Sequence, residues 1–211
     1  MRILGIDPGY AIVGWGVLDY ERSKFSIVDF GAITTEAGTP VPERLQIIYE
    51  DISYILRTTQ PQAIAMEKLF FQNNQKTAID VAQARGVLML AAQQHGVDVF
   101  EYTPLQVKQG VVGYGKAEKK QVMEMTRTIL GLSTVPKPDD TADALAMAIC
   151  HAHIGGSGLG QYASVSNSSG SYAAAKGFGG KSGEELAEQV IDGIATGIKI
   201  GKKILKERKG I

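Results

Sequence analysis

The amino-acid sequence predicts an α/β fold, in which a mixed five-stranded sheet is flanked by helices. Three apolar segments separated by turns open the chain, and two further apolar segments then alternate with long segments of helical periodicity. A meander of strands followed by strands alternating with helices is typical of a sheet with helices packed on its faces. The composition agrees, because 211 residues that are 44% hydrophobic and 21% charged can bury one good-sized core.

The five strands are expected where short apolar runs end at turns. The first three come at 2–7, 11–20 and 24–35, where the turn "PGY" and a polar hairpin separate them. A fourth strand is expected within "QAIAMEKLFF", residues 62–71, and a fifth at "VDVFEYT", residues 97–103.

Five helices are expected in the rest of the first 154 residues. The first spans Pro42 to Leu56, where apolar residues recur at helical spacing. The second covers 75–96 and closes at Gly96, a residue type that favours helix ends. The last three are expected at 104–113, 116–132 and 139–154.

One globular domain, residues 1–154, is expected to precede a different kind of sequence. Residues 155–182 contain 15 Gly or Ser among 28 residues, which is typical of a flexible linker. Residues 183–211 carry an apolar stripe with acids early and bases late, which predicts an amphipathic basic helix. Three explanations of this helix are compatible with the sequence: it recruits a partner or a membrane, it mediates dimerisation, or it is an added fusion segment.

Charge and cysteine content restrict the function. Residues 1–154 contain 14 Lys+Arg and 17 Asp+Glu, net −3, which argues against a polyanionic partner unless several acids bind metal ions. The N-terminal segment has no apolar signal-peptide region, and no run of about 18 apolar residues predicts a membrane span. The single cysteine, Cys150, excludes an internal disulfide and is interpreted as a small core residue of a cytoplasmic protein.

Four carboxylates in unusual positions carry the functional prediction. Asp7 and Glu67 each end an apolar strand, where an acid is costly unless it is paired, protonated or bound to a cation. Asp140 and Asp143 share one face near the start of the last helix, because residues i and i+3 of a helix are neighbours. Asp139 lies about 100° away around that helix and is assigned a structural role, either as N-cap or as partner of the helix dipole.

Binding of divalent metal ions would explain why four acids converge on one place. Mg²⁺ prefers oxygen ligands and binds through a few carboxylates together with water and substrate phosphate oxygens. Two such ions about 4 Å apart can activate a water and stabilise the leaving oxygen of a phosphodiester. Two dications would also offset the net −3 charge of the domain, so a polyanionic substrate becomes compatible with it.

At these residues the chain resembles the RuvC-type Holliday-junction resolvases, over residues 1–154. The resemblance is carried by "GIDPG" with "GWGV", "MEKLFFQNNQKTAIDVAQARGV", "YTPLQVKQGVVGYGKAEKKQV" and "DDTADALAMAICHAH", in order and at matching separations. It implies a ribonuclease-H-like fold and a catalytic set that is also the metal-ligand set: Asp7, Glu67, Asp140 and Asp143. Asp139 lies outside the family's D-x-x-D pair.

The resemblance also implies a reaction and partners. A homodimer would nick four-way DNA junctions symmetrically in recombination and repair, with two Mg²⁺ per site for which Mn²⁺ substitutes. Hydrolysis would leave 5′-phosphate and 3′-hydroxyl ends. The RuvA–RuvB branch-migration complex would be a partner, and no membrane association is expected for residues 1–154.

Four lysines form the densest basic run of the domain: Lys108, Lys116, Lys119 and Lys120. Lysines beside a Gly-containing turn and a helix start suit phosphate contacts, although an ordinary solvated helix face explains the same run. The resemblance implies that Lys108 and Lys119 lie near the scissile phosphate, which leaves Lys116 and Lys120 as general phosphate contacts.

The segment "LFFQNNQK" after Glu67 supplies the other predicted DNA contacts. An exposed Phe can stack on unpaired bases, and Phe70 matches the family's stacking aromatic, whereas Phe71 is either a second contact or core. Asn73 and Asn74 are assigned to hydrogen bonds with DNA, with loop solvation as the alternative. Four other residues are interpreted as structural or non-catalytic: Arg85, His95, His151 and His153.

Three other functions compete with the resolvase interpretation. A sugar-kinase or actin-type ATPase needs two related domains and a second phosphate loop, and the sequence has neither. Another ribonuclease-H-like nuclease or a transposase-type strand transferase would use the same metal chemistry on different DNA; "LFFQNNQ" and "QVKQGVVG" favour the resolvase. A DNA-binding scaffold with a catalytically inactive site would lack at least one of the carboxylates, and all four are present.

Overall fold

A computed structural model describes residues 1–68 and 75–155, with side chains described throughout except at 75–77. These residues form five strands and five helices in the predicted order. In chain order they are β1 (Arg2–Asp7), β2 (Ile12–Glu21), β3 (Lys24–Thr34), α1 (Val41–Thr59), β4 (Ala63–Glu67), α2 (Gln75–Gln94), β5 (Asp98–Tyr102), α3 (Pro104–Val112), α4 (Lys119–Ile129) and α5 (Asp139–Ile154).

The strands form one mixed sheet in the order β3-β2-β1-β4-β5. The first three strands pair antiparallel as a meander, whereas β4 runs parallel to β1 and β5 runs parallel to β4. Parallel neighbours need a crossover, and α1 and α2 provide these two connections. The predicted α/β class with a mixed five-stranded sheet is therefore confirmed.

Each face of the sheet is covered by its own set of helices, because alternate residues of a strand point to opposite faces. Leu4 and Ile6 of β1 belong to one buried cluster, together with apolar residues of α1 and α2. Ile3 belongs to the other cluster, which contains α3, α4 and α5. Both clusters are closed to solvent, and Cys150 lies fully buried in the second as a free thiol, as predicted for a small core residue.

Helix α5 lies unusually close to the centre of the sheet because two strand positions lack side chains. A Cβ built on Gly5 would come 1.9 Å from the Ala144 carbonyl oxygen, and one on Gly14 would come 2.0 Å from the Asp140 carbonyl oxygen. The hydroxyl of Thr141 also donates to the Gly31 carbonyl at 3.0 Å, which fixes the first turn of α5 over β3. The start of α5 therefore packs against β1 and β2 and is joined to β3 by this one hydrogen bond.

Several element boundaries differ from the predicted ones, most of them by one to three residues. Helix α1 continues to Thr59 rather than Leu56 and stops where Gln60 adopts a left-handed backbone, φ 48°. Helix α4 begins at Lys119 instead of residue 116, because the side chain of Gln121 accepts a hydrogen bond from the Glu118 amide at 2.8 Å and ends the helix there. Strand β4 ends at Glu67. In the described ranges, no helix is both long and apolar enough to cross a lipid bilayer.

Candidate active site

Asp7 and Glu67 end two adjacent parallel strands. Ile6 pairs with Met66 in the register of β1 and β4, so the two acids follow side by side. Neighbouring strands lie about 4.8 Å apart. Both acids point to the α5 face of the sheet, because they alternate with Ile6 and Met66, which are buried against α1 and α2.

Asp140 and Asp143 reach the same place from α5. They lie in the first two turns of that helix, which packs on β1 and β2. The carbonyl of Asp140 occupies the space that a side chain at position 14 would fill, and Gly14 is the cross-strand partner of Asp7. Close packing at one glycine therefore brings the start of α5 against the end of β1, and four acids from three elements meet at one edge of the sheet.

The electrostatics of Asp7 show that the four acids are coupled. Burial raises the pKa of Asp7 to about 7, with further upward contributions from the charges of Asp143, Glu67 and Asp140, while Lys119 opposes the rise. The pKa of Glu67 is also raised, first by burial and then by Asp143, against Lys119 and Arg85. The cluster therefore carries more negative charge than its protein surroundings neutralise.

Lys119 is the described cation in direct contact with this cluster. Its Nζ lies 2.7 Å from Oδ2 of Asp143, and the pKa of Lys119 is raised mainly by that hydrogen bond. The side chain is 62% exposed, whereas that of Asp143 is 23% exposed, so the ammonium approaches the acids from the solvent side. Because Lys119 is the first residue of α4, the capping interaction at Glu118 sets where this lysine emerges.

Asp139 does not join the four acids. Its Oδ1 lies 2.5 Å from Nζ of Lys137, and this hydrogen bond lowers the pKa of Asp139. The N-cap residue of α5 is Pro138, so the N-cap role suggested for Asp139 is wrong. Its alternative role as an acid in the first turn is confirmed, because Asp139 is the first residue of the helix.

The donor set suits a hard divalent cation. Four coupled carboxylates offer oxygen ligands only, and a dication would offset the charge that raises the pKa of Asp7. Within residues 1–68 and 75–155, however, no group of three or more Asp, Glu, His or Cys is already arranged to hold an ion. The residues therefore fit a metal by the chemistry of their oxygen donors and by their charge.

The other predicted lysines form no ion pair with the four carboxylates. Lys108 is half-buried in the middle of α3 and forms no ion pair with a described residue, while Lys116 and Lys120 are exposed. Sequence reasoning missed Lys137, which lines an open groove beside the site together with Lys119, Lys120 and Asp139. Lys137 could have been recognised from the sequence, because it lies two residues before Asp139 in "KPDD". Phe70, Phe71, Asn73 and Asn74 lie outside the described residues, as do 156–211.

The residues interpreted as non-catalytic all have structural partners. His95 contacts the Ser53 carbonyl at 3.2 Å and His153 contacts the Gly110 carbonyl at 2.7 Å. His151 is buried 2.6 Å from the hydroxyl of Tyr102, and burial lowers its pKa to about 4. Arg85 is buried as well and contacts the backbone of Glu67.

Comparison with known proteins gives one consistent result. The sequence profile of the family described as crossover junction endodeoxyribonuclease RuvC matches residues 3–151. Proteins of that name from Alkaliphilus oremlandii and Clostridioides difficile are 56% and 58% identical, over 74% and 72% of this chain and 94% and 90% of their own lengths. The structure resembles "T. thermophilus RuvC in complex with Holliday junction substrate", with a TM-score of 0.73 and 37% identity, over 75% of this chain and 97% of that one.

The fold and the carboxylate cluster define the class of protein: an enzyme of the ribonuclease-H-like nuclease type. Within that class, the chain belongs to the RuvC family of crossover junction endodeoxyribonucleases. The predicted family and fold are confirmed, and the kinase or actin-type alternative is excluded by this membership. The solved structure of yeast mitochondrial Ydc2, 17% identical with a TM-score of 0.55, shares the fold.

Proposed function

We propose that this enzyme resolves four-way DNA junctions by hydrolysing phosphodiester bonds at the carboxylate cluster. The observation that carries the proposal is the convergence of Asp7, Glu67, Asp140 and Asp143 from β1, β4 and α5, with the mutual repulsion that raises the pKa of Asp7. The similar T. thermophilus protein was solved with a Holliday junction substrate, which supports the same substrate class here.

The four carboxylates are proposed to bind two Mg²⁺, for which Mn²⁺ substitutes. Asp7, Glu67, Asp140 and Asp143 would be the ligands, because they are the oxygen donors that the fold brings to this edge of the sheet. When bound, such ions supply charge that stabilises a phosphodiester and its leaving oxygen and make a water more acidic. The protein contributes the negative, half-buried surface that attracts the ions and positions them.

The proposed reaction is hydrolysis with in-line displacement at phosphorus. A water oxygen forms the new bond to phosphorus, the bond from phosphorus to the 3′ oxygen breaks, and a proton passes to that oxygen. The products are a 5′-phosphate and a 3′-hydroxyl. Lys119 has its ammonium at the solvent side of the cluster, where it can donate to a phosphate oxygen as negative charge develops.

Lysines around the cluster are proposed to bind the DNA backbone rather than its bases. Lys116 and Lys120 are exposed and have free access to phosphates. Lys108, on α3, keeps its proposed catalytic place near the scissile phosphate, which rests on the resemblance. Such contacts position DNA without reading its sequence. Phe70, Phe71, Asn73 and Asn74 keep their proposed role at the unpaired bases of the junction, which rests on the resemblance alone.

A homodimer is proposed from the outward face of α2. Ile79, Gln83, Gly86 and Leu90 share that face at helical spacing; Ile79 is 65% exposed and Leu90 53% exposed. A Cβ at Gly86 would meet nothing within 4 Å, so the glycine leaves room for close approach of a second helix. Two-fold symmetry of the dimer would match paired nicks in a junction. The RuvA–RuvB complex and a cytoplasmic location complete the proposal by family resemblance.

The catalytic assignment is tested by two matched aspartate substitutions. Asp7→Asn should abolish cleavage of a synthetic four-way junction in Mg²⁺ and leave junction binding intact, because it removes a ligand without changing the fold. Asp139→Asn, at the residue adjacent to Asp140, should cleave at about the wild-type rate, because Asp139 pairs with Lys137 instead. Cleavage by Asp7→Asn at a rate like that of Asp139→Asn would refute the assignment.

A further inference from the structure

Arg85 connects helix α2 to the backbone of Glu67. Its Nη1 donates to the Glu67 carbonyl oxygen at 2.6 Å, and its Nη2 forms an ion pair with the carboxylate of Glu101. The residue is only 6% exposed, so the guanidinium is almost fully removed from water. A buried arginine needs partners for its charge and its donors, and these two contacts supply them.

The guanidinium lies on the side of the sheet opposite the carboxylate cluster. Glu101 is the cross-strand partner of Met66, and Met66 belongs to the core cluster formed with α1 and α2. Glu67 points the other way, because neighbouring residues in a strand alternate between faces. Arg85 therefore contacts the main chain of Glu67 from behind, while the Glu67 carboxylate remains free to face Asp7 and Asp143.

Among the described residues, the end of β4 is also held by its pairing with β5. Strand pairing with β5 ends at Glu67 and Tyr102, and one further hydrogen bond joins the Lys68 amide to the Tyr102 carbonyl at 2.8 Å. The Glu67 carbonyl and the Lys68 amide belong to one peptide group, so Arg85 and Tyr102 hold that group from its two sides, and Glu101 holds Arg85 in turn. Without the bond to Arg85, this peptide group would keep only the bond from the Lys68 amide to Tyr102, so the backbone that carries the Glu67 side chain would be held less firmly.

We propose that Arg85, fixed by Glu101, is a positioning residue that aims the Glu67 carboxylate at the metal site. The proposal rests on the proposed function, because it takes Glu67 as a metal ligand. Partners that orient metal ligands without touching the metal commonly change metal affinity or activity by roughly 10- to 100-fold when they are replaced. The guanidinium is suited to this task, since its rigid fork donates to a carbonyl and a carboxylate at once, whereas a lysine ammonium presents a single charge on a flexible chain.

The test compares Arg85→Lys with Arg2→Lys in the full chain. Arg2 is a matched control, because it also donates to a backbone carbonyl, that of Thr59 at 2.8 Å, and pairs with a carboxylate, that of Asp19. It lies at the other end of β1 from Asp7. Three quantities are measured for each variant: Mn²⁺ affinity by calorimetry without DNA, kcat and KM for a four-way junction, and junction binding in EDTA.

Arg85→Lys should weaken Mn²⁺ binding about tenfold and lower kcat roughly 10- to 100-fold, with KM and junction binding in EDTA unchanged. Arg2→Lys should keep wild-type values for all of these. Wild-type Mn²⁺ affinity and kcat in a folded Arg85→Lys variant would overturn the proposal. If Arg85→Lys does not fold, Glu101→Gln, which keeps the guanidinium in place but removes its charged partner, should show a smaller loss in the same two quantities. Wild-type values for that variant would also overturn the proposal.

Glu67→Gln separates the two possible failures. If it cleaves junctions at the wild-type rate, the proposed function of the cluster is wrong and the role of Arg85 falls with it. If Glu67→Gln is inactive while Arg85→Lys matches Arg2→Lys, only the positioning role of Arg85 is wrong.

Discussion

Asp7 has a protonation state that links the site to the stability of the fold. Its pKa is raised from 3.8 to about 7 in the folded chain. Between these two values the folded state therefore binds more protons than the unfolded state, and the free energy of unfolding falls as pH rises from about 4 to about 7. Above pH 7 the ionised, buried and repelled carboxylate destabilises the folded chain in the absence of a bound cation.

Asp7→Asn should therefore raise the melting temperature at pH 8 in metal-free buffer. The gain in unfolding free energy should be on the order of 1–4 kcal/mol at pH 8. It should disappear well below the unfolded pKa of 3.8, where Asp7 is protonated in both states. Thermal unfolding at several pH values measures this difference. A variant that is less stable than the wild type at pH 8 would show that Asp7 is neutralised in the folded chain by something other than a bound cation.

Adjacent residues of the same type have different surroundings at this site: Lys119 differs from Lys120, and Asp140 differs from Asp139. Lys119 contacts Asp143, whereas the adjacent Lys120 is exposed and has no ion pair with a described residue. Likewise, Asp140 contributes to the charge around Asp7, while the adjacent Asp139 turns to Lys137. In both pairs, the rotation of about 100° per helical residue sends neighbours in sequence to different surroundings.

At the scale of elements, the site depends on how closely α5 approaches β1 and β2. Gly14→Ala would place a Cβ 2.0 Å from the Asp140 carbonyl oxygen, a backbone atom that cannot turn aside. Relieving this overlap requires α5 to shift, so we expect a loss of roughly 1–3 kcal/mol in unfolding free energy together with weaker Mn²⁺ binding. Calorimetry and chemical denaturation measure both effects.

Gly86→Ala is the control for that experiment. Gly86 lies on α2 rather than against α5, and a Cβ added there would meet nothing within 4 Å in the same subunit, so alanine should leave Mn²⁺ affinity unchanged. Because Gly86 also faces the proposed dimer contact, Mn²⁺ affinity alone is compared between the two variants. Equal effects of the two substitutions on Mn²⁺ affinity would mean that the position of α5 does not control the site.

The elements themselves were largely predictable from the sequence. The short apolar run before a turn predicts β1 and the helical pattern predicts α5, both with their observed bounds. The strand-end positions of Asp7 and Glu67 identified two of the four acids. The start of α4 was missed, because its N-terminus depends on the side-chain bond from Gln121 to the Glu118 amide. The role of Arg85 was equally hidden, since its partners Glu67 and Glu101 are 18 and 16 residues away and become neighbours only in the folded sheet.

For the whole molecule, the proposed dimer can be tested at the outward face of α2. Leu90→Glu would place a charge on the outward face of α2 and should convert a dimer into a monomer, because a buried unpaired carboxylate is costly. Val28→Glu is the control, since Val28 is an exposed apolar residue, 38% accessible, on the edge strand β3. Analytical ultracentrifugation should show a monomer for the first variant and a dimer for the second. Dimers of equal stability in both would place the interface elsewhere.

The most direct test of the central claim is cleavage of a four-way junction beside a linear duplex of the same arm sequences, with Mg²⁺ and with EDTA. We expect paired nicks in the junction in Mg²⁺, an uncut duplex, and no cleavage of either DNA in EDTA. Comparable cutting of the duplex would contradict junction specificity, and cleavage in EDTA would contradict a metal-dependent site built from Asp7, Glu67, Asp140 and Asp143.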